Sequence, residues 1–366
     1  MSLKFFDVAI IGGGPAGSVC AALCARAGLQ TVILEREKFP REKVCGDCLN
    51  PSCWPILERL ELAQRVRALP HAQLEYVEFV AIDGRKVTAP LSSGAHGELS
   101  MKRSLFDALL LTRARELGAE VREETTVAAV TRTSDWRIET SSGAGFRSRV
   151  LVGADGRNST VARLCNLLPR PSRERVALQA HIPLPGGFGK RVVLQFLPEG
   201  YSGQAPVNGA ELNLCLVGMP SGISRLREWA HRHFKIPQNQ TWRTVAPLAR
   251  SAISGGVENL LLVGDAARVV EPFTGEGIYY ALRSGELASM AAAQFVRSGD
   301  WPSARREFER ACAKMYRGRL WINRLARAAV LRPRVGSLFV QAAQIDASIL
   351  RLLTAKIVSA SPQAKT

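Results

Sequence analysis

Residues 6–35 read FDVAIIGGGPAGSVCAALCARAGLQTVILE, and this stretch decides the fold. A short β-rich run leads into a Gly-x-Gly-x-x-Gly turn, then a helix of small residues, then a second strand that ends in an acid. Gly12 permits the tight turn, Gly14 lets a pyrophosphate approach the backbone, and Gly17 lets the helix pack on the strand. Glu35, 23 residues after Gly12, can accept hydrogen bonds from a ribose. The stretch therefore predicts a dinucleotide site.

The overall composition is that of an ordinary globular protein of about two structural units, with 366 residues of which 46% are hydrophobic. This apolar fraction excludes a disordered or collagen-like chain. The formal net charge is +17, and thirteen basic against three acidic side chains place +10 of it in residues 301–366. This local excess predicts an anionic partner there. Because no nucleic-acid recognition motif accompanies it, nucleic acid is not the expected partner.

The sequence also bears on the compartment. It has no run of the ~18 apolar residues that a spanning helix needs, and its N-terminus shows no cleavage site for a secretory signal. We therefore expect a cytoplasmic protein, whose eight cysteines are reduced rather than paired.

Two further segments resemble the end of a buried strand. Residues 150–159 read VLVGADGRNS, with Asp155 in an Asp-Gly turn, and residues 260–267 read LLLVGDAA, with Asp265 at the strand end. Gly275 and Gly277 then precede a helical pattern, so a second helix N-terminus could stabilise negative charge on a reduced flavin ring. Either aspartate alone could be a turn residue, but behind the first motif they point together to a cofactor.

These three segments resemble the fingerprints of FAD-dependent oxidoreductases of the aromatic-hydroxylase type. Residues 43–51 (KVCGDCLNP) and 272–285 (PFTGEGIYYALRSG) are most similar to the geranylgeranyl reductase family. The resemblance implies two domains that hold FAD in an extended pose. By position, it implies FAD contacts at Ala16, Glu35, Cys45, Gly46, Arg103, Val127, Asp265, Gly277 and Ile278. Arg103 begins an amphipathic helix, where it can either face the FAD phosphates or lie in solvent.

The predicted fold class is α/β, or α+β overall: a Rossmann-like FAD-binding domain, an inserted and mostly antiparallel sheet, and C-terminal helices. The FAD-binding domain is expected at 1–75, 97–165 and 250–300, and the substrate domain at 76–96 and 166–249. Residues 301–366 form the basic helical segment. Ser202 to Ala205 are small or polar where related reductases and halogenases carry aromatic residues, which disfavours a halogenase and leaves a wider slot beside the flavin.

Three cysteines, Cys45, Cys48 and Cys53, cluster within nine residues. A metal site would need a fourth ligand, and none is near, so no metal is expected. A redox pair of Cys45 and Cys48 is an alternative. The favoured interpretation is a loop that crosses the flavin, with Cys45 as the candidate catalytic side chain.

The sequence has no second nucleotide fingerprint, so NADH or NADPH would bind transiently, or an electron carrier would reduce the flavin. Reduced flavin can deliver hydride to a carbon–carbon double bond, or react with oxygen and hydroxylate an aromatic or polyketide-type substrate. The motifs favour reduction of a polyprenyl or other lipid-like substrate. A flavin-binding protein without catalysis is the alternative outside the enzymes. The oligomeric state is left open.

The C-terminal segment predicts two helices. The first is basic and runs from Ser303 to Leu331, where Pro333 breaks the pattern. The second carries an apolar stripe made of Leu338, Ala342, Ile345, Ile349, Leu352 and Leu353. We expect this segment to bring the protein to the inner face of an anionic membrane. The alternative is that both helices close over the FAD-binding domain.

Overall fold

The computed structural model describes residues 3–92, 94–169, 175–246, 248–253 and 257–344. The strands described there are β1 (Lys4–Ile11), β2 (Thr31–Leu34), β3 (Cys48–Leu49), β4 (Ala72–Leu74), β5 (Tyr76–Val80), β6 (Lys86–Pro90), β7 (Glu98–Ser100), β8 (Glu120–Arg122), β9 (Val127–Arg132), β10 (Trp136–Thr140), β11 (Gly145–Gly153), β12 (Val176–Pro183), β13 (Arg191–Leu197), β14 (Gly200–Pro206), β15 (Glu211–Gly218), β16 (Arg243–Val245) and β17 (Leu260–Leu262).

The helices described there are α1 (Pro15–Arg26), α2 (Trp54–Arg59), α3 (Ala63–Ala68), α4 (Arg103–Glu116), α5 (Thr160–Leu164), α6 (Ile223–Phe234), α7 (Gly277–Ser298), α8 (Trp301–Tyr316), α9 (Leu320–Leu331) and α10 (Pro333–Ala343). Short 3₁₀ turns lie at Pro51–Cys53, Gly264–Ala266 and Pro272–Thr274.

The first seven-stranded sheet has the order β8-β2-β1-β11-β10-β9, and β17 pairs with the end of β11. Strands β8, β2, β1, β11 and β17 run parallel, as a Rossmann-like sheet requires. Val8 and Ile10 pack with α1 and α7, whereas Ala9 and Ile11 pack on the opposite face with Trp136. The near-continuous apolar run of β1 follows from this burial on both faces.

The parallel register brings the three sequence fingerprints together. Ile11 pairs with Gly153, and Gly153 pairs with Leu262, so β1, β11 and β17 end side by side. The carboxyl ends of parallel strands are where open α/β sheets bind ligands.

The second seven-stranded sheet has the order β16-β12-β15-β14-β13-β5-β6. All its pairs are antiparallel except β5 with β13, so the predicted mostly antiparallel sheet is confirmed. A three-stranded sheet, β3-β7-β4, carries the cysteine loop at one edge. The predicted domain boundaries stay a prediction.

The C-terminal segment differs from its prediction. The helix predicted over 303–331 is interrupted between α8 and α9, where Gly318 adopts a φ of +76° that other residues rarely adopt. Pro333 also begins α10, because the first turn of a helix needs no proline N–H.

The C-terminal helices pack on both parts of the fold. Arg319, directly before α9, donates to Glu276 at the start of α7 (2.6 Å), and Ser337 of α10 accepts from the backbone N–H of Ile82 beside the second sheet (2.9 Å). They therefore do not close over the FAD-binding part alone. Leu338 and Ala342 of the predicted stripe are exposed, and the remaining stripe positions, from 345 onward, lie outside the described residues. Over the described ranges, no helix is long and apolar enough to cross a membrane.

Candidate active site

A cavity of about 560 Å³ is lined by residues of both large sheets. It brings together all but one of the predicted site residues, namely Gly12, Gly14, Ala16, Glu35, Cys45, Gly46, Arg103, Val127, Asp155, Asp265, Gly275, Gly277 and Ile278. Gly17 does not line the cavity. A Cβ there would lie 1.9 Å from the carbonyl oxygen of Gly12, so Gly17 serves the contact between helix and turn.

The glycine turn packs tightly against the protein at Gly12 but leaves free space at Gly14. Gly12 has a φ of +103°, and a Cβ there would lie 2.6 Å from the carbonyl oxygen of Ala154. At Gly14, by contrast, a Cβ would meet only the guanidinium of Arg41, at 3.4 Å. The space beside Gly14 is therefore left for a ligand.

A second helix N-terminus lines the same cavity, through Gly277 and Ile278 at the start of α7. Further along α7, the helix packs directly on the start of α1, because a Cβ on Gly285 would lie 2.2 Å from the carbonyl oxygen of Ala16. A Cβ at Gly275 or Gly277 would meet no atom of the described residues within 4 Å. The first N–H groups of α7 have no partner within the helix, so they are available to an anionic group.

Glu35 is buried and braces the glycine turn. Its carboxylate accepts from the backbone N–H of Gly13 at 2.6 Å and from that of Glu37 at 2.9 Å. The predicted contact of Glu35 with a ribose stays a prediction.

Asp155 and Asp265 have different surroundings. Asp155 accepts from the backbone N–H of Val161 at the start of α5 (3.0 Å), and burial raises the pKa of its carboxyl. Asp265 is partly exposed and accepts from the guanidinium of Arg157 (3.0 Å). The FAD contact that the resemblance implies at Asp265 stays a prediction, and within the protein this carboxylate is paired with an arginine.

Arg103 is held inside the cavity wall. Its guanidinium donates twice to the fully buried carboxylate of Asp107, at 2.7 and 2.8 Å, and Arg41 donates to the same carboxylate at 3.0 Å. The alternative of a solvated arginine at the helix start is therefore wrong.

Burial, together with the neighbouring cations Arg41 and Arg157, lowers the pKa of Lys43 to about 8. This group of cations favours an anionic ligand.

Side chains of the second sheet hold the loop of residues 45–48 by hydrogen bonds. The carbonyl of Cys45 accepts from the amides of Gln179 and Asn213, at 2.9 and 2.8 Å, and from the thiol of Cys215 at 3.3 Å. Asp47, at a φ of +60°, makes a buried pair with His181 at 2.8 Å. The loop backbone is therefore positioned by side chains that are far away in the sequence.

The surroundings of the loop thiols favour their protonated form. Burial raises the pKa of Cys45 and raises that of Cys48 further, and both cysteines are free. A thiolate is disfavoured at both positions, so the catalytic role of Cys45 stays a prediction and a thiolate redox pair lacks support. In the ranges that the structure covers, no group of three or more His, Cys, Asp or Glu could hold a metal.

One face of the second sheet gives the cavity an apolar wall. The side chains that form it, together with two from nearby loops, are Val77, Phe79, Leu91, Ala177, Val192, Leu194, Tyr201, Val217, Val245 and Leu248. Phe273 closes this wall, with its ring centroid 5.2 Å from that of Tyr201 and 5.9 Å from that of Phe196.

Sequence reasoning missed three polar residues of the site. Gln179 and Asn213, which hold the Cys45 carbonyl, could have been noticed, since each is a polar residue within an apolar strand. Glu98 carries no such signal, because only the pairing of β7 with β3 and β4 brings it to the cavity.

Comparison with known proteins agrees with this geometry. The FAD binding domain family matches residues 6–182. A menaquinone reductase of Mycolicibacterium smegmatis is 31% identical over 334 residues, which cover 81% of this chain and 78% of the relative. The chain belongs to the geranylgeranyl reductase-like family of FAD-dependent oxidoreductases. A digeranylgeranylglycerophospholipid reductase of Methanosarcina mazei is 28% identical over 81% of this chain and 77% of its own length.

Other similarities reach beyond the reductases. Conditioned medium factor receptor 1 of Dictyostelium discoideum is 28% identical over 81% of this chain, which spans only 65% of that relative. The flavin-dependent brominase Bmp2 has a TM-score of 0.80 at 22% identity, with 97% of this chain and 95% of that chain covered. PqsL, a probable FAD-dependent monooxygenase from Pseudomonas aeruginosa, has a TM-score of 0.77 at 20% identity, with 92% of this chain and 100% of that chain covered. These structures show the shared fold.

FAD is the cofactor of this family, and the residues present fit it. The open space at Gly14, Gly275 and Gly277 can admit a ligand to the backbone of both helix N-termini. The cations Arg41 and Lys43 match the charge of a pyrophosphate.

Proposed function

We propose that this protein reduces carbon–carbon double bonds of a polyprenyl or other lipid-like substrate, with NADPH or NADH as the transient electron donor. The observation that carries the proposal is the apolar wall that the second sheet gives to the cavity. A wall of aliphatic and aromatic side chains binds hydrocarbon by burying its surface, at about 25 cal/mol per Å². The small residues Gly203 and Ala205 leave room beside it.

Bound FAD would supply the hydride chemistry, and the chain's own residues would do the rest. Gly14 and the α1 N-terminus would receive the pyrophosphate, with Arg41 and Lys43 as counter-ions. The backbone of residues 45–48, fixed through the carbonyl of Cys45, would position the substrate. Phe273 and Tyr201 would exclude water from the reacting carbon.

Turnover with and without oxygen tests this proposal. We expect the purified holoprotein to oxidise NADPH or NADH anaerobically in the presence of a polyprenyl substrate, with one double bond lost for each nicotinamide oxidised. A hydroxylase of an aromatic substrate would consume oxygen instead, and a flavin-binding protein without catalysis would do neither. Either result would overturn the reductase proposal.

We also propose that the exposed surface of α9 and α10 binds the inner face of an anionic membrane. The C-terminal apolar face consists of the exposed residues Trp321, Leu325, Leu331, Val335, Leu338 and Phe339. Leu338 and Phe339 are 61% and 57% exposed. Residues 317–344 also contain six arginines and no acidic residue. Apolar side chains flanked by cations are what a peripheral helix presents to an anionic lipid surface.

Arginines near an anionic leaflet contribute about 1 kcal/mol each. We therefore expect the protein to float with vesicles of phosphatidylglycerol and phosphatidylcholine at low salt, and much less with phosphatidylcholine alone or at high salt. The double variant Leu338→Asp, Phe339→Asp should stay unbound. Met290→Asp is the matched control, because Met290 is 61% exposed on α7, outside the C-terminal apolar face.

Two results would contradict the membrane proposal. The first is binding that does not depend on lipid charge and salt. The second is a dimer in sedimentation velocity that the aspartate variant dissociates, since this would show that a second copy covers the face.

A further inference from the structure

A buried carboxyl group lines the cavity beside the cysteine loop. Glu98 is the first residue of β7 and pairs with Leu74 of β4. Only 7% of its surface is exposed, and its Oε2 has no hydrogen-bond partner within the described part of the chain. Two residues further along β7, the hydroxyl of Ser100 donates to the carbonyl of Pro206 at 2.6 Å. β7 is thereby held against β14 of the second sheet.

The surroundings of Glu98 favour its neutral form. The titratable groups next to Glu98 are the thiols of Cys48 and Cys53, and the negative charge of Glu98 helps to raise the pKa of both thiols. Among the described residues no cation shifts the pKa of Glu98, and burial alone raises it to about 7. An unpaired carboxylate in such a place is costly, whereas a protonated carboxyl is a donor with a proton to give.

Three other carboxyls at the cavity already have partners. Glu35 accepts from two backbone N–H groups, and Asp155 accepts through Oδ2 from the start of α5, while its Oδ1 is buried without a partner within the described residues. Asp265 is partly exposed and is paired with Arg157. The thiols of Cys45 and Cys48 have raised pKa values and are weak acids.

We propose that Glu98 is the acid that protonates the substrate carbon in this reduction. The inference rests on the proposed function. When hydride from the reduced cofactor adds to one carbon of the double bond, the other carbon takes the proton of the Glu98 carboxyl. The π bond is lost, two C–H bonds form, the cofactor is oxidised, and water then reprotonates the carboxylate. An isolated double bond has no group to stabilise a carbanion, so the proton must be delivered as the hydride arrives.

Single-turnover kinetics with the pre-reduced holoenzyme test the inference. General acid catalysis contributes about 10² to 10⁴ in rate, so Glu98→Gln should slow substrate reduction by at least about 100-fold. FAD content and the rate of flavin reduction should stay unchanged. Glu98→Asp keeps an acid and should be clearly faster than Glu98→Gln. Glu75→Gln, which removes an exposed carboxylate paired with Lys190, should behave as wild type.

Two measurements on the wild-type protein do not depend on the variants folding. The single-turnover rate should fall about tenfold per pH unit above pH 7, because only the protonated carboxyl can donate. Infrared spectra of the wild-type protein should show a protonated carboxyl band that disappears as the pH rises through about 7.

The outcomes separate the two proposals. If wild type reduces substrate but its rate has no such pH dependence, or Glu98→Gln is as fast as wild type, Glu98 is not the acid and the reductase proposal stands. If the infrared band titrates as expected and no lipid-like substrate is reduced, the reductase proposal fails, and with it the role of Glu98.

Discussion

At the scale of single residues, the glycines of the turn are needed for two different reasons. Gly12 and Gly17 face protein atoms, so the fold itself excludes a side chain there. Gly14 faces only Arg41, so any requirement for glycine comes from the ligand. This difference separates loss of folding from loss of cofactor.

We predict that Gly14→Val folds but retains at least about tenfold less FAD, because the side chain takes the space of the pyrophosphate. Gly17→Ala should instead destabilise the protein by about 3 kcal/mol, because its Cβ would lie 1.9 Å from the carbonyl oxygen of Gly12. Flavin absorbance after purification and the Tm of the apoprotein measure the two effects. Equal FAD content in Gly14→Val and wild type would contradict the assignment of the turn.

Glu98 also predicts a pH dependence of stability. Its pKa rises from 4.5 to about 7 in the folded chain, so the folded state holds a proton that the unfolded state loses between these values. The free energy of unfolding therefore decreases from about pH 4.5 to about pH 7, by about 3 kcal/mol, and this contribution is constant above pH 7. Urea unfolding of wild type and Glu98→Gln should diverge over this window. Parallel curves would show that the carboxyl is not buried.

At the scale of elements, the loop of residues 45–48 depends on β12 and β15. The amides of Gln179 and Asn213 converge on one carbonyl oxygen, that of Cys45, and Gln179 also donates to Asn213 at 3.0 Å. Two neighbouring strands thus set the distance between the loop backbone and the second sheet.

We predict that the double variant Gln179→Leu, Asn213→Leu slows hydride transfer about tenfold while FAD content stays nearly constant. Each lost hydrogen bond is worth about 1 kcal/mol, and a displaced loop misplaces the substrate. Stopped-flow reoxidation of the reduced flavin by substrate measures this rate. Asn208→Ala, which removes a contact with Glu211 in the turn of the same sheet, is the control. An unchanged rate in the double variant would mean that the loop has no part in positioning.

At the scale of the whole molecule, a buried ion pair joins the start of the second sheet to the segment before α7. Arg175, directly before β12, donates to Glu271 at 3.2 and 2.6 Å, and the two side chains are 3% and 1% exposed. Glu271 stands next to the turn that carries Phe273. The pair therefore couples the apolar wall to the second helix N-terminus.

We predict that Glu271→Gln lowers the free energy of unfolding by about 3 kcal/mol, because it removes the carboxylate charge that faces a buried guanidinium. Replacing both partners, as Arg175→Met with Glu271→Gln, should recover most of that loss. Denaturant unfolding of the two variants gives the comparison. A double variant as unstable as Glu271→Gln alone would show that the pair is not the cause.

Much of the fold could be read from local patterns. Gly12 to Gly17, the strand ends at Asp155 and Asp265, and the helix after Gly277 each require only neighbours in the sequence, and the structure contains each of them. The C-terminal helices were less predictable. The break at Gly318 depends on one residue with positive φ, and the outward direction of Leu338 depends on which face of α10 packs on Phe196.

The sequence by itself indicated a dinucleotide cofactor and the type of fold, because a dinucleotide is bound by backbone geometry that a few glycines and strand ends encode locally. The resemblance to a known family then implied FAD. Only the tertiary structure decided what surrounds the candidate site. The apolar wall, the donors to the Cys45 carbonyl and the unpaired carboxyl of Glu98 come from strands far apart in the chain. Their chemistry arises from burial and strand pairing, and neither is written in any short stretch of residues.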